Sequence, residues 1–291
     1  MSAQRTKVLV GVDGSAHSDH AIDWAADEAA RFGKTLNLVH VVETATLDLP
    51  GRTTDGISEA LVQAATRTLQ DGRARALKRQ PELTVETMVV HERNVPAGLR
   101  QYAGDAAETV VGYRGRGGFA GLLLGSTALR LAGHYPGPVT VVRDHHHDPD
   151  HDQNHDAAGD IVAGIDLAED PGPVLDHAFA AAAARGVRLR VLHARHPAPP
   201  TAAPGVDLQI TANTLHEQLT TALAPWRSRH PDVKVVEDLV IGHPVEMLAL
   251  ASAGAGLLVV GSRGRSFPLG SVSHGVIHHA RCPIAVVRPY E

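Results

Sequence analysis

The sequence predicts an α/β protein made of two tandem doubly wound domains, each with a parallel β-sheet covered by helices on both faces. The first observation is an internal repeat, in which a shift of 153 residues lays KVLVGVDGS (7–15) over DIVAGIDLA (160–168) without a gap. The second is that short β-rich runs alternate with helical patterns in each copy, as they do in right-handed βαβ units. The third is that strand-like runs such as VTVV (139–142) are almost continuously apolar, which is typical of strands buried on both faces.

The elements of the first copy can be placed in order from the periodicity of its apolar residues. Apolar residues spaced three and four apart indicate helices, and short β-branched runs indicate strands. Gly33 is expected to end the first helix, because glycine readily adopts the left-handed conformation found at helix C-termini. The second copy is expected to repeat this pattern between residues 161 and 287. The predicted strands are 7–12, 36–42, 85–90, 109–111 and 139–142, and the predicted helices are 16–32, 57–79, 95–103 and 126–133.

A polar segment separates the two copies. Residues 144–156, DHHHDPDHDQNHD, contain five His and five Asp and no apolar residue, so they cannot contribute to a core. We place the first domain at 1–143, a His/Asp-rich linker at 144–158 and the second domain at 159–291. Imidazole and carboxylate groups also bind divalent metals, so adventitious metal capture by the linker is a second hypothesis.

The composition narrows the classes of function. The net charge of −5 leaves no broad basic surface for nucleic acid or for an anionic membrane. The single cysteine, Cys282, excludes an intramolecular disulfide and a cysteine-based zinc site. The N-terminal residues lack the features of a signal peptide, and no apolar run approaches the length of a membrane span. A cytoplasmic protein without a nucleic-acid or membrane partner is therefore expected.

A glycine-rich stretch, VVGYRGRGGFAGLLLGST (110–127), lies between a predicted strand and a predicted helix. Glycine permits positive φ and close backbone approach, so the N–H groups of such a loop can converge on one point. The N-terminus of the helix that starts at Ser126 adds unpaired donors and the positive end of a dipole. Together these groups suit phosphate oxygens. The alternative interpretation is a loop that only turns a strand into a helix.

Asp13 directly follows the first predicted strand, and ligands of doubly wound folds bind at the carboxyl ends of the strands. Its carboxylate is suited to accept from ribose hydroxyls or to help hold Mg²⁺. The alternative is that it caps the helix that begins near Ser15. Asp166 stands at the same place in the second copy. The chain contains neither a Walker A string nor a GxGxxG motif at its first helix.

Two residues separate Gly112 from Gly115, and nine residues separate Gly115 from Gly125-Ser126. Together with the VGVDGS start and the VTVVR end, this spacing resembles the ATP-binding branch of the universal stress protein (UspA) family. The resemblance covers nearly the whole chain apart from the linker, here as a tandem of two domains. It implies a five-stranded parallel sheet of order 3-2-1-4-5 in each domain. It also implies that ATP binds with Mg²⁺ or another divalent cation. The residues implied in the first half are Asp13 on the ribose or metal side, the backbone near Val41 beside the adenine, and Gly112, Gly115, Gly125 and Ser126 around the triphosphate.

Two further side chains of this loop are candidates for phosphate contacts. Arg114, between the first two glycines, is placed to pair with a phosphate, although an exposed loop arginine is an equally common alternative. Thr127 is a hydroxyl donor next to Ser126.

The second copy departs from this pattern. Gly264 is followed by only five residues before Gly270, so its loop is four residues shorter than that of the first copy. Glu169 adds a negative charge near the place where phosphates would lie. We therefore expect ATP chiefly in the first half, and leave open whether the second half binds nucleotide. The candidate residues of the second half are Asp166, Gly261, Gly264, Gly270, Ser271 and Ser273.

No catalytic set can be assembled from the motif spacing, and the site as predicted contains no base to activate water. The leading hypothesis is an ATP-binding regulatory module of a stress response, with at most slow hydrolysis. The alternatives are a structural or interaction protein with vestigial sites and, third, a phosphohydrolase or adenylyltransferase. His40 and His193 recur in the second strands and are expected to be structural.

The resemblance also implies how the domains associate. The last strands of the two domains are expected to pair, which gives an intramolecular pseudo-dimer through Val139–Val142 and Ile284–Val287. Further association into homo-oligomers is expected.

Overall fold

A computed structural model of the protein describes residues 5–44, 55–102, 104, 106–116, 124–143, 159–195, 208–262 and 269–288, with only the backbone of 55–58 and 208–212. The chain divides into two compact units between residues 144 and 145. The linker with its proposed metal capture, and the candidate residue Gly264, lie outside the described residues.

The first unit alternates strands and helices along the chain. All its strand pairings are parallel, and the strands are ordered β3-β2-β1-β4-β5. The central strands β1 and β4 are therefore neighbours, and their carboxyl ends meet at one edge of the sheet. The elements are β1 (Lys7–Gly11), α1 (Ala16–Arg31), β2 (Thr35–Glu43), α2 (Asp55–Arg79), β3 (Val85–Glu92), α3 (Val95–Arg100), β4 (Ala106–Gly112), α4 (Ser126–His134) and β5 (Val139–Val142).

The second unit repeats this arrangement. Its strands are also parallel and are ordered β8-β7-β6-β9-β10. The predicted α/β fold of two tandem domains is confirmed. The elements are β6 (Ile161–Gly164), α5 (Gly172–Arg185), β7 (Leu189–Arg195), α6 (Leu208–Arg229), β8 (Val235–Ile241), α7 (Pro244–Ala251), β9 (Leu257–Gly261), α8 (Ser271–His279) and β10 (Ile284–Val287).

Helix α1 illustrates how the sequence builds the core. Ser15 caps its N-terminus, because the Ser15 hydroxyl oxygen accepts a hydrogen bond from Ser18 N–H at 3.2 Å. Gly33, with a φ of +59°, follows the C-terminus as predicted. Between them an alanine-rich face packs on the apolar side chains of β1 and β2, which fixes the helix over the centre of the sheet. The buried residues of this face are Ala21, Ile22, Ala25, Ala26 and Ala29.

Most elements of the first unit differ from the predicted bounds by one to three residues, and two differences in the chain have identifiable reasons. Strand β4 begins at Ala106 and includes Glu108, which is only 7% exposed and accepts a hydrogen bond from the Thr140 hydroxyl. A buried carboxylate interrupts the apolar pattern, so the first half of the strand was not predicted. Helix α5 begins three residues later than the register with α1 predicts, because Pro171 and Pro173 favour a helix start at this point.

Candidate functional site

Asp13 connects two loops at the carboxyl ends of β1 and β4. Its Oδ1 accepts a hydrogen bond from Ser15 N–H at 3.0 Å, and its Oδ2 accepts one from Arg116 N–H at 2.9 Å. The second bond spans 103 residues of sequence and holds the loop after β4 beside the loop after β1. Because Ser15 caps α1, the alternative in which Asp13 is the helix cap is wrong.

The hydrogen bonds also determine the charge of Asp13. Burial by itself raises the pKa of this carboxyl, but bonds from Ser15, Arg116 and Ser18 outweigh it and hold the pKa below its ordinary value. Asp13 is therefore a carboxylate at neutral pH and a weak base. A carboxylate in this state is better suited to accept hydrogen bonds or to bind a cation than to take a proton.

Two glycines of the loop lie very close to neighbouring atoms, and at Gly112 the neighbour is backbone, which cannot move aside as a side chain can. A Cβ atom at Gly112 would lie 2.6 Å from the carbonyl oxygen of His17, and one at Gly115 would lie 2.6 Å from Oδ2 of Asp13. The loop therefore passes directly against α1 and against the carboxylate. Gly125 N–H then donates to the Tyr113 carbonyl at 2.8 Å, which brings the start of α4 back to the same loop.

The structure shows an aromatic and cationic group around Tyr113, of which the sequence analysis predicted only Arg114. The guanidinium carbons of Arg114 and Arg143 each lie 5.0 Å from the ring centre of Tyr113, and the ring of His17 meets it edge-on at 5.0 Å. The Nε atom of Arg114 is buried without a hydrogen-bond partner. The position of Tyr113, directly after Gly112, was the available signal. The group places positive charge next to the predicted phosphate loop.

The remaining first-half candidates lie around this edge of the sheet. Val41 is buried, and a Cβ atom at Gly98 would approach its side chain to 2.8 Å, so only its backbone is available to a ligand. Ser126 is exposed and Thr127 is half-buried in the first turn of α4. Gly125 precedes that turn without a side-chain cap, so it leaves helix donors available at this position.

The two recurring histidines lie within β2 and β7. The Nδ1 atom of His193 lies 3.2 Å from the Ile165 carbonyl oxygen, within hydrogen-bond distance. Burial lowers the pKa of His40, while the Val12 backbone and Asp13 act in the opposite direction. The contact of His193 is consistent with the structural role that was expected, whereas the Nδ1 atom of His40 is buried without a hydrogen-bond partner.

The second half repeats the backbone of the site. Asp166 Oδ1 accepts a hydrogen bond from Ala168 N–H at 3.0 Å, as Asp13 does from Ser15. Gly270 N–H donates to the Ser262 carbonyl at 3.0 Å, as Gly125 does to Tyr113. Gly261 and Gly270 line a cavity together with Ser273, whose hydroxyl donates to the Gly261 carbonyl. Ser271 is exposed at the start of α8.

Asp13 was also predicted as a metal ligand. Among the residues that the structure describes, no group of three or more His, Cys, Asp or Glu side chains could hold a metal ion. Mg²⁺ often binds proteins through one or two carboxylates together with substrate phosphates. A cation bound in this way would need only one carboxylate, such as that of Asp13, from the protein.

Both halves of the chain match one family model. The model of the universal stress protein family matches residues 4–143 and again residues 158–288. The chain belongs to the universal stress protein family. This confirms the predicted family and its tandem form. In the described part of the chain, no helix has both the length and the apolar character that a membrane span requires.

Relatives of the same family extend over the whole chain. A universal stress protein of Mycolicibacterium smegmatis is 34% identical over 299 residues, which cover 99% of each chain. One of Mycobacterium tuberculosis is 33% identical over 293 residues, covering 97% of this chain and 96% of the relative. The crystal structure of a universal stress protein from Archaeoglobus fulgidus shares the fold, with a TM-score of 0.67, 16% identity and coverage of 98% and 97%.

Proposed function

We propose that the first domain binds ATP together with a divalent cation, and that the protein is a nucleotide-dependent regulatory module of a stress response. The observation that carries the proposal is the contact between Asp13 and the glycine loop at Gly115 and Arg116. It brings a carboxylate, loop N–H groups and the start of α4 to one edge of the sheet. Ligands of doubly wound folds bind at this edge.

Each group has a defined part in this proposal. The loop N–H groups and the N-terminus of α4 bind the phosphates, with Arg114 as the neighbouring positive charge. Asp13 accepts from the ribose or binds the cation, and the backbone at Val41 borders the adenine. The cation would neutralise phosphate charge. Because Asp13 is a weak base, we expect binding with at most slow hydrolysis.

The substitution Gly115→Glu tests the proposal by calorimetric titration with ATP and magnesium. The new side chain meets the Asp13 carboxylate and adds negative charge to the phosphate loop, so we expect affinity to fall by about 100-fold or more. The control is Gly104→Glu, which adds the same charge where a Cβ atom has no neighbour within 4 Å. We expect it to bind as the wild type does. No ATP binding by the wild type would overturn the proposal and favour an interaction protein.

The association of the two domains remains a prediction. We propose that Val139–Val142 and Ile284–Val287 pair within one chain, since exposed apolar edge strands are usually covered. NMR relaxation measures the tumbling of each domain separately. A shared correlation time is expected, and independent tumbling would contradict the pairing.

A further inference from the structure

A cavity of about 500 Å³ lies between α7 and α8 of the second domain. Its apolar wall, the α7–α8 groove, consists of Val245, Ala249 and Leu250 of α7 with Gly275 of α8. Leu250 is 59% exposed, so apolar surface is accessible here. Among the described residues, none lines both this groove and the cavity at the carboxyl ends of β6 and β9. The volume of the groove falls within the roughly 300–1,000 Å³ that is typical of small-molecule sites.

The first half has long polar side chains where this groove has small or apolar ones. The strand ends VVG (110–112) and VVG (259–261) align α3 with α7, and the sequences GS (125–126) and GS (270–271) align α4 with α8. Three exposed polar residues of the first half then fall on groove residues of the second, which leaves the space between the helices open. The aligned pairs are Arg100 with Ala249, Gln101 with Leu250, and Arg130 with Gly275.

The floor of the groove is formed where the two helices touch. A Cβ atom at Gly275 would lie 2.8 Å from Cγ2 and 2.9 Å from Cγ1 of Val245. The backbone of α8 is therefore in direct contact with the Val245 side chain. A ligand in the groove would lie on packed apolar atoms rather than on a polar loop.

Positive charge lies at the end of the groove next to the C-terminus of α7. The Arg281 N–H donates to the hydroxyl oxygen of Ser252 at 2.9 Å, which anchors Arg281 beside the end of that helix. Ser252 is fully buried, so the anchor is held by the core. In the described part of the chain, the side chains of Arg281 and His279 form neither an ion pair nor a hydrogen bond. A guanidinium group in this position is suited to bind a carboxylate through two parallel hydrogen bonds.

The other end of the groove carries the opposite charge. Glu246 lines it in the first turn of α7 and is exposed. Because like charges repel, a carboxylate ligand can place its head only at the Arg281 end. From Val245 to Leu250 the helix rises roughly 7.5 Å at about 1.5 Å per residue, which is about the length of an extended chain of six to eight carbons.

We propose that the α7–α8 groove binds an amphiphilic carboxylate with an aliphatic chain of about six to eight carbons. The carboxylate pairs with Arg281, and the chain lies along Val245, Ala249 and Leu250. All residues of this site belong to the second unit, and the site does not depend on ATP binding in the first.

Calorimetric titrations of the full chain with octanoate and with 1-octanol test the proposal, because these probes share a chain and differ in charge. We expect saturable octanoate binding, about tenfold tighter than the binding of 1-octanol. Arg281→Gln should weaken octanoate binding by about tenfold and change 1-octanol binding by less than about threefold. The control is Arg100→Gln, which removes an exposed arginine from the matching helix of the first half and should change neither.

A second variant tests the apolar wall. Leu250→Gln introduces the residue that the first half has at this place, Gln101, on an exposed helix position that tolerates it. We expect both probes to bind about fivefold more weakly, because the apolar area that covers the chain is smaller. Leu61→Gln is the control, since it changes an exposed leucine of the first half and should affect neither probe.

Three results would overturn the proposal. The first is no saturable octanoate binding by the wild type, and the second is an unchanged octanoate affinity in Arg281→Gln. The third comes from sedimentation velocity: a wild-type dimer that Leu250→Gln dissociates would show that a second copy of the chain covers the groove.

Discussion

The two domains have the same strand order and the same acid after their first strand, yet the surroundings of that acid differ. In the first domain, Asp13 accepts from Arg116 N–H and lies beside a glycine loop with arginine side chains. In the second, Asp166 lines a cavity with Glu169 and Asp170. In both halves the sheet topology brings the ends of these neighbouring strands to one edge of the sheet. The few residues after the strands give that edge a different charge in each half.

The largest expected difference between the halves concerns the glycines that end β4 and β9. A Cβ atom at Gly112 would lie 2.6 Å from a backbone oxygen of His17, whereas one at Gly261 would lie 3.5 Å from Val174 Cγ2, an ordinary contact. We expect Gly112→Ala to lower the free energy of unfolding by about 3 kcal/mol and Gly261→Ala to change it by less than about 0.5 kcal/mol. Urea unfolding measures both. Equal losses would show that the two strand ends are packed alike.

The matching acids provide the next comparison, in ATP affinity. Asp13→Ala removes the acceptor of two backbone N–H groups and releases the loop at Arg116, so we expect ATP binding to weaken by about tenfold or more. Asp166→Ala lies outside the proposed ATP site, so we expect a change of less than about twofold in the same titration. A larger loss of ATP affinity in Asp166→Ala than in Asp13→Ala would place the ATP site in the second domain instead.

Much of the fold was predictable because its elements follow local patterns. Helix α1 begins at Ala16 and β5 spans Val139–Val142, as predicted, since apolar periodicity and a cap specify them locally. The first half of β4 was not predictable in this way. Its buried Glu108 is stabilised by Thr140, a residue 32 positions away that becomes a neighbour only in the folded sheet.

The candidate site likewise has parts that the sequence predicts and parts that depend on the fold. Asp13 and Gly115 could be identified because a strand end and a glycine spacing are visible in the sequence. The bond from Arg116 to Asp13 and the stacking of Arg143 on Tyr113 depend on loops that the fold brings together. The acidic residues that line the second-half cavity were only partly predicted. Glu169 was recognised, but Asp170 was missed although it directly follows in the sequence.

The loss of folding stability at acid pH should also differ between the halves. Burial lowers the pKa of His177 to about 4, and Arg185 contributes to this, whereas Trp24 stands at the matching place in the first half. Because the unfolded chain takes up this proton near pH 6.5 and the folded chain does not, stability falls as the pH drops from 6.5 to about 4. We expect a loss of about 1 kcal/mol at pH 5 from this half-buried group.

His177→Gln isolates this contribution. Urea unfolding at pH 8 and at pH 5 should show that the free energy of unfolding falls less for the variant than for the wild type as the pH is lowered. Identical losses would assign the acid sensitivity to other groups.

The smallest expected difference concerns the acid that attaches the first helix of each domain to the second. Asp23 pairs with Arg75 through two hydrogen bonds of 2.7 and 2.5 Å. Asp176, its counterpart, accepts from the neutral Trp226 indole at 2.7 Å, with Arg229 more distant at 3.4 Å.

We expect Asp23→Ala and Asp176→Ala each to cost about 0.5 to 1 kcal/mol. Salt screens exposed ion pairs more than it screens hydrogen bonds to neutral groups. In 1 M salt, where the screening length is roughly 3 Å, the cost of Asp23→Ala should therefore decrease more than the cost of Asp176→Ala. An equal salt dependence of the two variants would mean that Arg229, rather than Trp226, supplies the contact in the second domain.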